Sequence, residues 1–256
     1  MSDNAEQLIS NYEKLIEIIN DETYLNETES DKYKKAQILK FHQDQEELII
    51  TAPASGNTAY HNCFPGGYTL HVLNVINACK SIEKAWSEMS PLSINYTRDE
   101  LITSALLHDI GKITNLTYEI FVPETDEWQR KKRGSLYRHN DLAMPWFEHT
   151  DLSLWLCNQY DIKLTQNEFH AIKLHAGLYL EGNKNYYQNW ESTKRIKLSL
   201  TFILHQADLL STQCEQIVGE SALGVATKAQ KKTAIDNAKA KTQNKVNELF
   251  AEFLQK

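Results

Sequence analysis

Apolar residues recur at helical spacing along most of the chain, and sustained strict alternation is scarce. Leu8, Tyr12, Leu15, Ile16 and Ile19 share one face of a predicted helix over residues 6–20. A second helix is predicted from about Asp31 to Leu48, with Ser30 as its N-cap. The stretch TAPASGNTAYHNCFPGGY interrupts this pattern with two prolines and three glycines, so it reads as an irregular loop. Beyond Gly67 the run YTLHVLNVINACKSIEKAW predicts a helix packed through Leu70, Leu73, Val75, Ile76 and Ile82, with Pro91 following its end. Another helix is expected from Arg98 to His108, stopped by Gly111.

Between Thr117 and Pro145 the chain turns polar, with WQRKKRG at its centre, and reads either as a long functional loop or as a small β excursion. Helices are expected to resume at about His149–Tyr160 and Gln166–Ala176. The second opens on Thr165-x-x-Glu168, a capping-box pattern. A polar loop, GNKNYYQNWEST, precedes a long helix predicted from Lys194 to about Val218, and the final 36 residues read as one or two helices rich in Ala and Lys. Trp155, Trp190 and Phe202 are expected in the core or in a pocket wall.

Composition agrees with an all-α chain: only 9 Gly and 5 Pro punctuate 256 residues, too few for a many-stranded fold. With 41% hydrophobic and 24% charged residues, wholesale disorder is excluded. A formal net charge of −7 argues against a protein that coats nucleic acid, and duplex binding is not expected. Residues 221–256 go the other way, with seven Lys against three acids; an exposed helix is the default there, and weak oligonucleotide contact the alternative. No apolar run reaches the roughly 18 residues of a membrane span, and MSDNAEQLIS carries acids where an export signal would carry bases, so a cytoplasmic chain with no membrane partner is expected. Cys63, Cys79, Cys157 and Cys214 form no C-x-x-C pair, and buried thiols are expected.

Nine histidines set the candidate chemistry. His108 and Asp109 stand side by side in LLHDIGK at the end of an apolar helix, and imidazole beside carboxylate suits iron, manganese or zinc better than magnesium alone. His170 and His175 lie five apart, about 140° around a helix axis, so both do not easily face one metal; His170 is assigned to the surface or to packing. His205 and Asp208 share a face, which makes His205 a buried neighbour of the site, or a residue that orients a ligand. His42 and His139 receive no role. The cations Arg130, Lys131, Lys132, Arg133 and Arg138 could bind phosphate or simply form a solvated charged loop.

On these residues the chain resembles the HD superfamily of metal-dependent phosphohydrolases, whose signature is a histidine, a later His-Asp pair and a later aspartate, each on its own helix. His71 in GGYTLHVLNV, His108 and Asp109 in ALLHDIGK, and Asp208 in ILHQADLLS follow that order, over about Tyr60 to Cys214. His149 in FEHTDLS and His175 in AIKLHAG resemble the added ligands of the two-metal branch. The resemblance implies an HD domain over residues 51–218, an N-terminal helical appendage over 1–50 and a C-terminal helical tail over 219–256. It implies two divalent transition-metal ions, manganese or iron first, with zinc, nickel or cobalt also compatible. Asp109 would bridge them, with His71, His108 and Asp208 completing one site and His149 and His175 the other.

In that reading Asp109 and Lys112 are the catalytic residues. Lys112 also contacts substrate, together with His61, Arg133 and Arg138, and Tyr60 is a weaker substrate-pocket candidate. Lys112 read without the resemblance is a solvated lysine favoured by a helix end. The implied function is hydrolysis of a nucleotide, cyclic dinucleotide or short oligonucleotide phosphoester by a hydroxide activated between two metals roughly 3.5–4 Å apart. The alternative on the same ligands is a mixed-valence di-iron oxygenase acting on a small polar or phosphonate substrate. A metal-loaded nucleotide sensor without turnover is the third class. A small phosphorylated partner is expected in the leading case, and a homo-oligomer is compatible with it.

Overall fold

The computed structural model describes residues 3–24, 28–143 and 145–222, and it is mostly helical with one minor two-stranded sheet. Helix α1 spans Asp3–Glu22, α2 Glu29–Asp44, α3 Glu46–Thr51, α4 Gly67–Met89 and α5 Arg98–Leu107. After the sheet come α6 (His149–Gln159), α7 (Gln166–Leu174), the short α8 (Lys184–Tyr187) and α9 (Ser199–Ala222). The expected all-α class is therefore the observed one.

Helix α5 is the centre of the bundle, with every residue from Leu101 to Leu107 buried. Its start is set by a capping box in which Thr97 and Glu100 satisfy each other's backbone N–H groups. Helix α7 begins in the same way on Thr165 and Glu168, as its sequence predicts. Helices α4 and α9 pack antiparallel over α5. Trp86 stacks on Phe202 at one end, with ring centroids 6.3 Å apart, and His71 meets Asp208 towards the other. Along α4 the buried positions Tyr68, Val72, Val75, Ile76 and Cys79 follow the 3.6-residue period.

One apolar core runs through the whole bundle, and Tyr12, Leu15, Ile19, Ile38, Phe41 and Ile49 of α1–α3 belong to it. A buried ion pair adds to this continuity: Lys34 Nζ of α2 lies 2.7 Å from Oε1 of Glu168 on α7. The Tyr24 hydroxyl reaches the same carboxylate at 3.4 Å and Thr103 of α5 at 2.9 Å. The polar segment 117–145 resolves as the β excursion, with β1 (Phe121–Pro123) antiparallel to β2 (Tyr137–His139) and Val122 opposite Arg138. A single π-type turn, Gln129–Arg133, lies between the strands.

Several boundaries and environments differ from the sequence reading. Helix α2 is capped by Thr28 rather than Ser30, because the Asp31 carboxylate accepts from the Thr28 N–H at 3.0 Å while Thr28 Oγ1 accepts from Asp31 N–H at 3.2 Å. It ends at Asp44, where Gln45 leaves helical geometry at φ −111°, and α3 follows as a separate element. The last long helix starts at Ser199, not Lys194, since Asn95 Oδ1 accepts from both the N–H and the hydroxyl of Ser199. It continues through residue 218 to Ala222, and the rest of the expected C-terminal tail lies outside the described residues. Trp190 is 85% exposed rather than part of a core or wall, because its polar loop runs over the surface. Cys63, Cys79 and Cys157 are buried as expected, whereas Cys214 faces outward on α9.

Candidate metal centre

Two helices end at the residues that form the centre. His108 is the C-cap of α5 and His175 the C-cap of α7. The last carbonyls of a helix have no intrahelical partner. Each histidine supplies one from its own side chain: Nδ1–H of His108 donates to Ala105 O at 2.8 Å, and Nδ1–H of His175 to Ile172 O at 2.8 Å. That bond selects the tautomer and turns both Nε2 lone pairs inward. Asp109 follows directly and leads into a single 3-10 turn, Ile110–Lys112.

Gly111 in that turn lets α6 come close, since a Cβ there would lie 2.2 Å from the His149 carbonyl oxygen. Ser153 of α6 locks the contact, accepting from Gly111 N–H at 2.9 Å and donating to the His108 carbonyl at 2.8 Å. The N-terminal residue of α6, His149, is thereby brought to Asp109.

The result is a divided carboxylate. Asp109 Oδ2 lies 3.4 Å from His108 Nε2 and 3.7 Å from His71 Nε2. Asp109 Oδ1 lies 3.4 Å from His175 Nε2 and 3.7 Å from His149 Nε2. Asp208 Oδ1 stands 3.1 Å from His71 Nε2. The ligand atoms of His71, His108 and Asp109 lie within 4.8 Å of one another, and so do those of Asp109, His149 and His175. All six sequence-predicted ligands are thus brought together.

The chemistry of the cluster fits a cation. His71 Nε2, His108 Nε2 and Asp109 Oδ1 are buried without a hydrogen-bond partner. Lone pairs left unpaired in a protein interior cost on the order of 1–3 kcal/mol each, and a metal ion would satisfy them together. A buried His/Asp group that could hold a metal ion is therefore present, compatible with an HD-type site. Side-chain exposures of 24% at His149, 19% at Asp208 and 17% at Lys112 open it to solvent on one side.

Charges around the cluster are strongly coupled. Burial works against an ionised Asp109, yet Lys112 and His108 hold its carboxyl well below the usual range. Burial also opposes the Lys112 ammonium, which Asp109 and Asp208 nevertheless hold above the ordinary lysine value. Lys112 Nζ lies 2.6 Å from Asp109 Oδ2, so this lysine belongs to the centre. Burial opposes a charged His71 ring, yet the neighbouring carboxylates of Asp208 and Glu215 win, carrying it to about 9. Burial pushes His149 down, with Glu148 offsetting part of the shift.

His61 lies on the margin of the centre, its ring centroid 4.5 Å from that of His71. Burial and the neighbouring His71 push its imidazole down to about 3, and its buried Nε2 has no partner. The two arginines assigned to substrate are engaged elsewhere. Arg133 lies over the Trp128 ring at 5.1 Å, and Arg138 pairs with Asp141 at 2.6 Å. His205 orients a ligand segment, its Nδ1–H donating to the His175 carbonyl at 2.7 Å. His170 is not in the cluster and bonds its own helix at Gln166.

Sequence reasoning did not find Glu215. Its carboxylate accepts from His71 Nδ1–H at 3.1 Å and from Asn74 Nδ2 at 2.8 Å, so it fixes the tautomer that presents Nε2 of His71 to the centre. Glu148 faces Nδ1 of His149 at 3.3 Å and stands in the same relation to that ligand. The signal for Glu215 was its spacing, two helical turns beyond Asp208 and so on the same face. No protein-family model, curated protein or solved structure matches the chain.

Proposed function

We propose that this chain is an HD-type, metal-dependent hydrolase of phosphoester bonds in a small phosphorylated substrate, nucleotides and short oligonucleotides first. The observation that carries the reading is the Asp109 carboxylate, whose two oxygens each face a different pair of histidines. A carboxylate divided in this way suits two ions better than one, with His71, His108 and Asp208 on one side and His149 and His175 on the other. Mixed imidazole and carboxylate donors suit manganese or iron. Two such ions would supply Lewis-acid charge and acidify a bound water at neutral pH.

The chain's own groups are suited to the rest of the task. Lys112 brings an ammonium to the solvent-facing edge of the centre, where it can bind a phosphoryl oxygen and take up charge that develops there. His61, neutral and beside His71, offers an unpaired ring nitrogen to a substrate hydroxyl or phosphate. The four histidines arrive with Nδ1 already engaged, so little reorganisation accompanies loading of the centre.

The test is an anaerobic, manganese-supplemented assay of the full chain on pooled nucleotides, cyclic dinucleotides and short oligonucleotides, with products read by mass spectrometry. Asp109→Ala runs alongside, and bound metal is counted in both proteins. A cleaved species missing from the Asp109→Ala reaction, with metal lost from that variant, is the expected result. No cleavage of any pool member, together with oxygen uptake by the iron-loaded protein, would transfer the site to oxygenase chemistry.

A further inference from the structure

The basic turn of the β excursion is tied to the margin of the centre. Its backbone is held against the loop that carries His61: Asn57 Nδ2 donates to Arg133 O at 2.8 Å and to Ser135 Oγ at 3.0 Å, and Thr58 N–H donates to Gly134 O at 3.0 Å. Gly134, at φ +71°, permits this approach, since a Cβ there would lie 2.3 Å from Thr58 Oγ1. The loop is itself closed by Ser55, whose hydroxyl donates to His61 O at 2.7 Å, and the His61 ring lies against the ligand His71. Thr58 and His61 are three residues apart, at most about 11 Å along the chain. The turn Gln129–Arg133 therefore stands beside the centre, while Asp109 and Asp208 pair with none of its cations among the described residues.

Arg130, Lys131, Lys132 and Arg133 are consecutive in this turn. The acids beside them have other tasks. Glu124 Oε1 accepts from Asp126 N–H at 2.9 Å, Asp126 Oδ1 accepts from Gln129 N–H at 2.8 Å, and Glu127 pairs with Lys131 at 2.8 Å. Arg130 and Lys132 form no salt bridge among the described residues. Arg133 lies over the Trp128 ring at 5.1 Å, and that indole is 54% exposed, so it serves no core. A guanidinium held on an exposed indole makes a flat, positively charged surface, on which a base of any identity can stack.

We propose that Trp128 and the turn Gln129–Arg133 form a platform for a single-stranded oligonucleotide whose scissile phosphate lies at the metal centre. This rests on the phosphoester reading above and makes the substrate an oligonucleotide rather than a mononucleotide. A mononucleotide with its phosphate at Lys112 leaves the turn unused. A longer strand passes His61, lays neighbouring phosphates on Arg130 and Lys132, and stacks a base on the Trp128–Arg133 pair. The acidic remainder of the chain, at a net charge of −7, works against the two backbones of a duplex and leaves the turn as a local attractor for one. One stacked base corresponds to roughly 5- to 150-fold in affinity. Each phosphate contact on a single strand adds about −0.7 to the slope of log affinity against log salt.

The experiment titrates thymidine 5′-monophosphate and a cleavage-resistant phosphorothioate octathymidylate into the manganese-loaded full chain by calorimetry over a range of salt concentrations. Cleavage of the unmodified octamer is followed alongside. Wild-type protein is expected to bind the octamer at least about tenfold more tightly, as one stacked base requires. Trp128→Ala should weaken the octamer roughly 5- to 150-fold, and Arg130→Gln combined with Lys132→Gln should flatten its salt slope by about 1.4. Both losses should fall on the octamer and not on the mononucleotide, and thermal midpoints check that the variants fold. Equal affinities for the two probes in the wild type, or losses shared by both probes in the variants, overturn the platform and leave the phosphoester reading standing. Tight octamer binding with the expected variant losses, but no cleavage of the unmodified strand, keeps the platform as a binding surface and overturns the phosphoester reading. If neither probe binds, both fall.

Discussion

Glu215→Gln isolates the effect of the group behind a ligand. His71 is fully buried, and its Nδ1–H has the Glu215 carboxylate as acceptor, at 3.1 Å to Oε2 and 3.3 Å to Oε1. Asn74 Nδ2 donates to Oε1 at 2.8 Å. The carboxylate serves both donors at once. A glutamine of the same shape has one acceptor oxygen and one NH2 donor. If its oxygen faces Asn74, its NH2 opposes the Nδ1–H of His71; if it faces His71, the NH2 opposes Asn74. Loss of an outer carboxylate typically lowers metal affinity about 10- to 100-fold, which corresponds to about 1.4–2.8 kcal/mol. The loss should fall on the His71 and His108 side and leave the His149 and His175 side little changed. Chelator competition with manganese, resolved into two binding steps, measures it. Asn74→Ala added to Glu215→Gln frees the amide oxygen for His71 and should recover part of the affinity, a non-additive cycle. Unchanged affinity in the single variant, or a loss shared equally by both steps, would refute the positioning role.

Three further outcomes follow from the frame around the centre. Lys34→Met leaves the fully buried Glu168 without its cation and should cost on the order of 3–5 kcal/mol by denaturant titration, while Lys34→Met with Glu168→Gln should recover most of it; equal midpoints for the two proteins would contradict this. His42 is buried with Nδ1–H on Ile38 O, and burial pushes its ring down from an ordinary 6.5 to about 4. Below 6.5 the unfolded chain therefore binds a proton that the folded chain refuses, so this contribution is complete above 6.5 and is lost as pH falls towards 4, at about 1.4 kcal/mol per pH unit. His42→Leu should remove that slope from a plot of unfolding free energy against pH, and an unchanged slope would assign it to other groups. Gly111→Ala forces a Cβ onto the His149 carbonyl and 2.8 Å from Ser153 N, so α6 must move. A loss of about 1–3 kcal/mol should come with weakened metal binding at His149, and a normal metal content at a lowered melting point would separate packing from the site.

How much of this was legible from residues alone depended on the range of the cause. The helices around the centre were readable because their apolar spacing is local, and α7 was readable at its first residue because Thr165 and Glu168 form their box within one turn. Thr28 was missed although its box is equally local, because its partner is Asp31 rather than a Glu or Gln and Ser30 stood closer to the helical pattern. Ser199 starts α9 for a reason no local pattern contains, since Asn95 holds it from 104 residues away. Trp190 looked like core by its size, but a polar loop on the surface gives it nothing to pack against. Arg133 and Arg138 were singled out by charge and by their place between two ligand-bearing helices, a signal that does not contain their local contacts with Trp128 and Asp141.

The ligands were legible for a physical reason that also explains the centre. In ALLHDIG and AIKLHAG an apolar helix runs into a histidine, and a glycine follows two or three residues later. A helix has to dispose of its final carbonyls, and a histidine at the C-cap does so with Nδ1–H, as His108 and His175 both do. The same bond that ends the helix commits the other ring nitrogen to a lone pair pointing away from the helix. Glycine then allows what must follow: Gly111 admits α6, and Gly177 admits the His205 ring, which holds the His175 carbonyl. Helix termination, close packing and ligand presentation are thus one local arrangement used twice. Asp109, placed between the two copies, has one oxygen directed to each. His71 and His149 enter from the second turn of α4 and from the start of α6, where no carbonyl of their own helix is free. Each is instead oriented by a carboxylate, Glu215 and Glu148 respectively. The two kinds of ligand should therefore respond differently to mutation: those set by carboxylates can be loosened by a single isosteric change, whereas His108 and His175 keep their orientation as long as α5 and α7 end where they do.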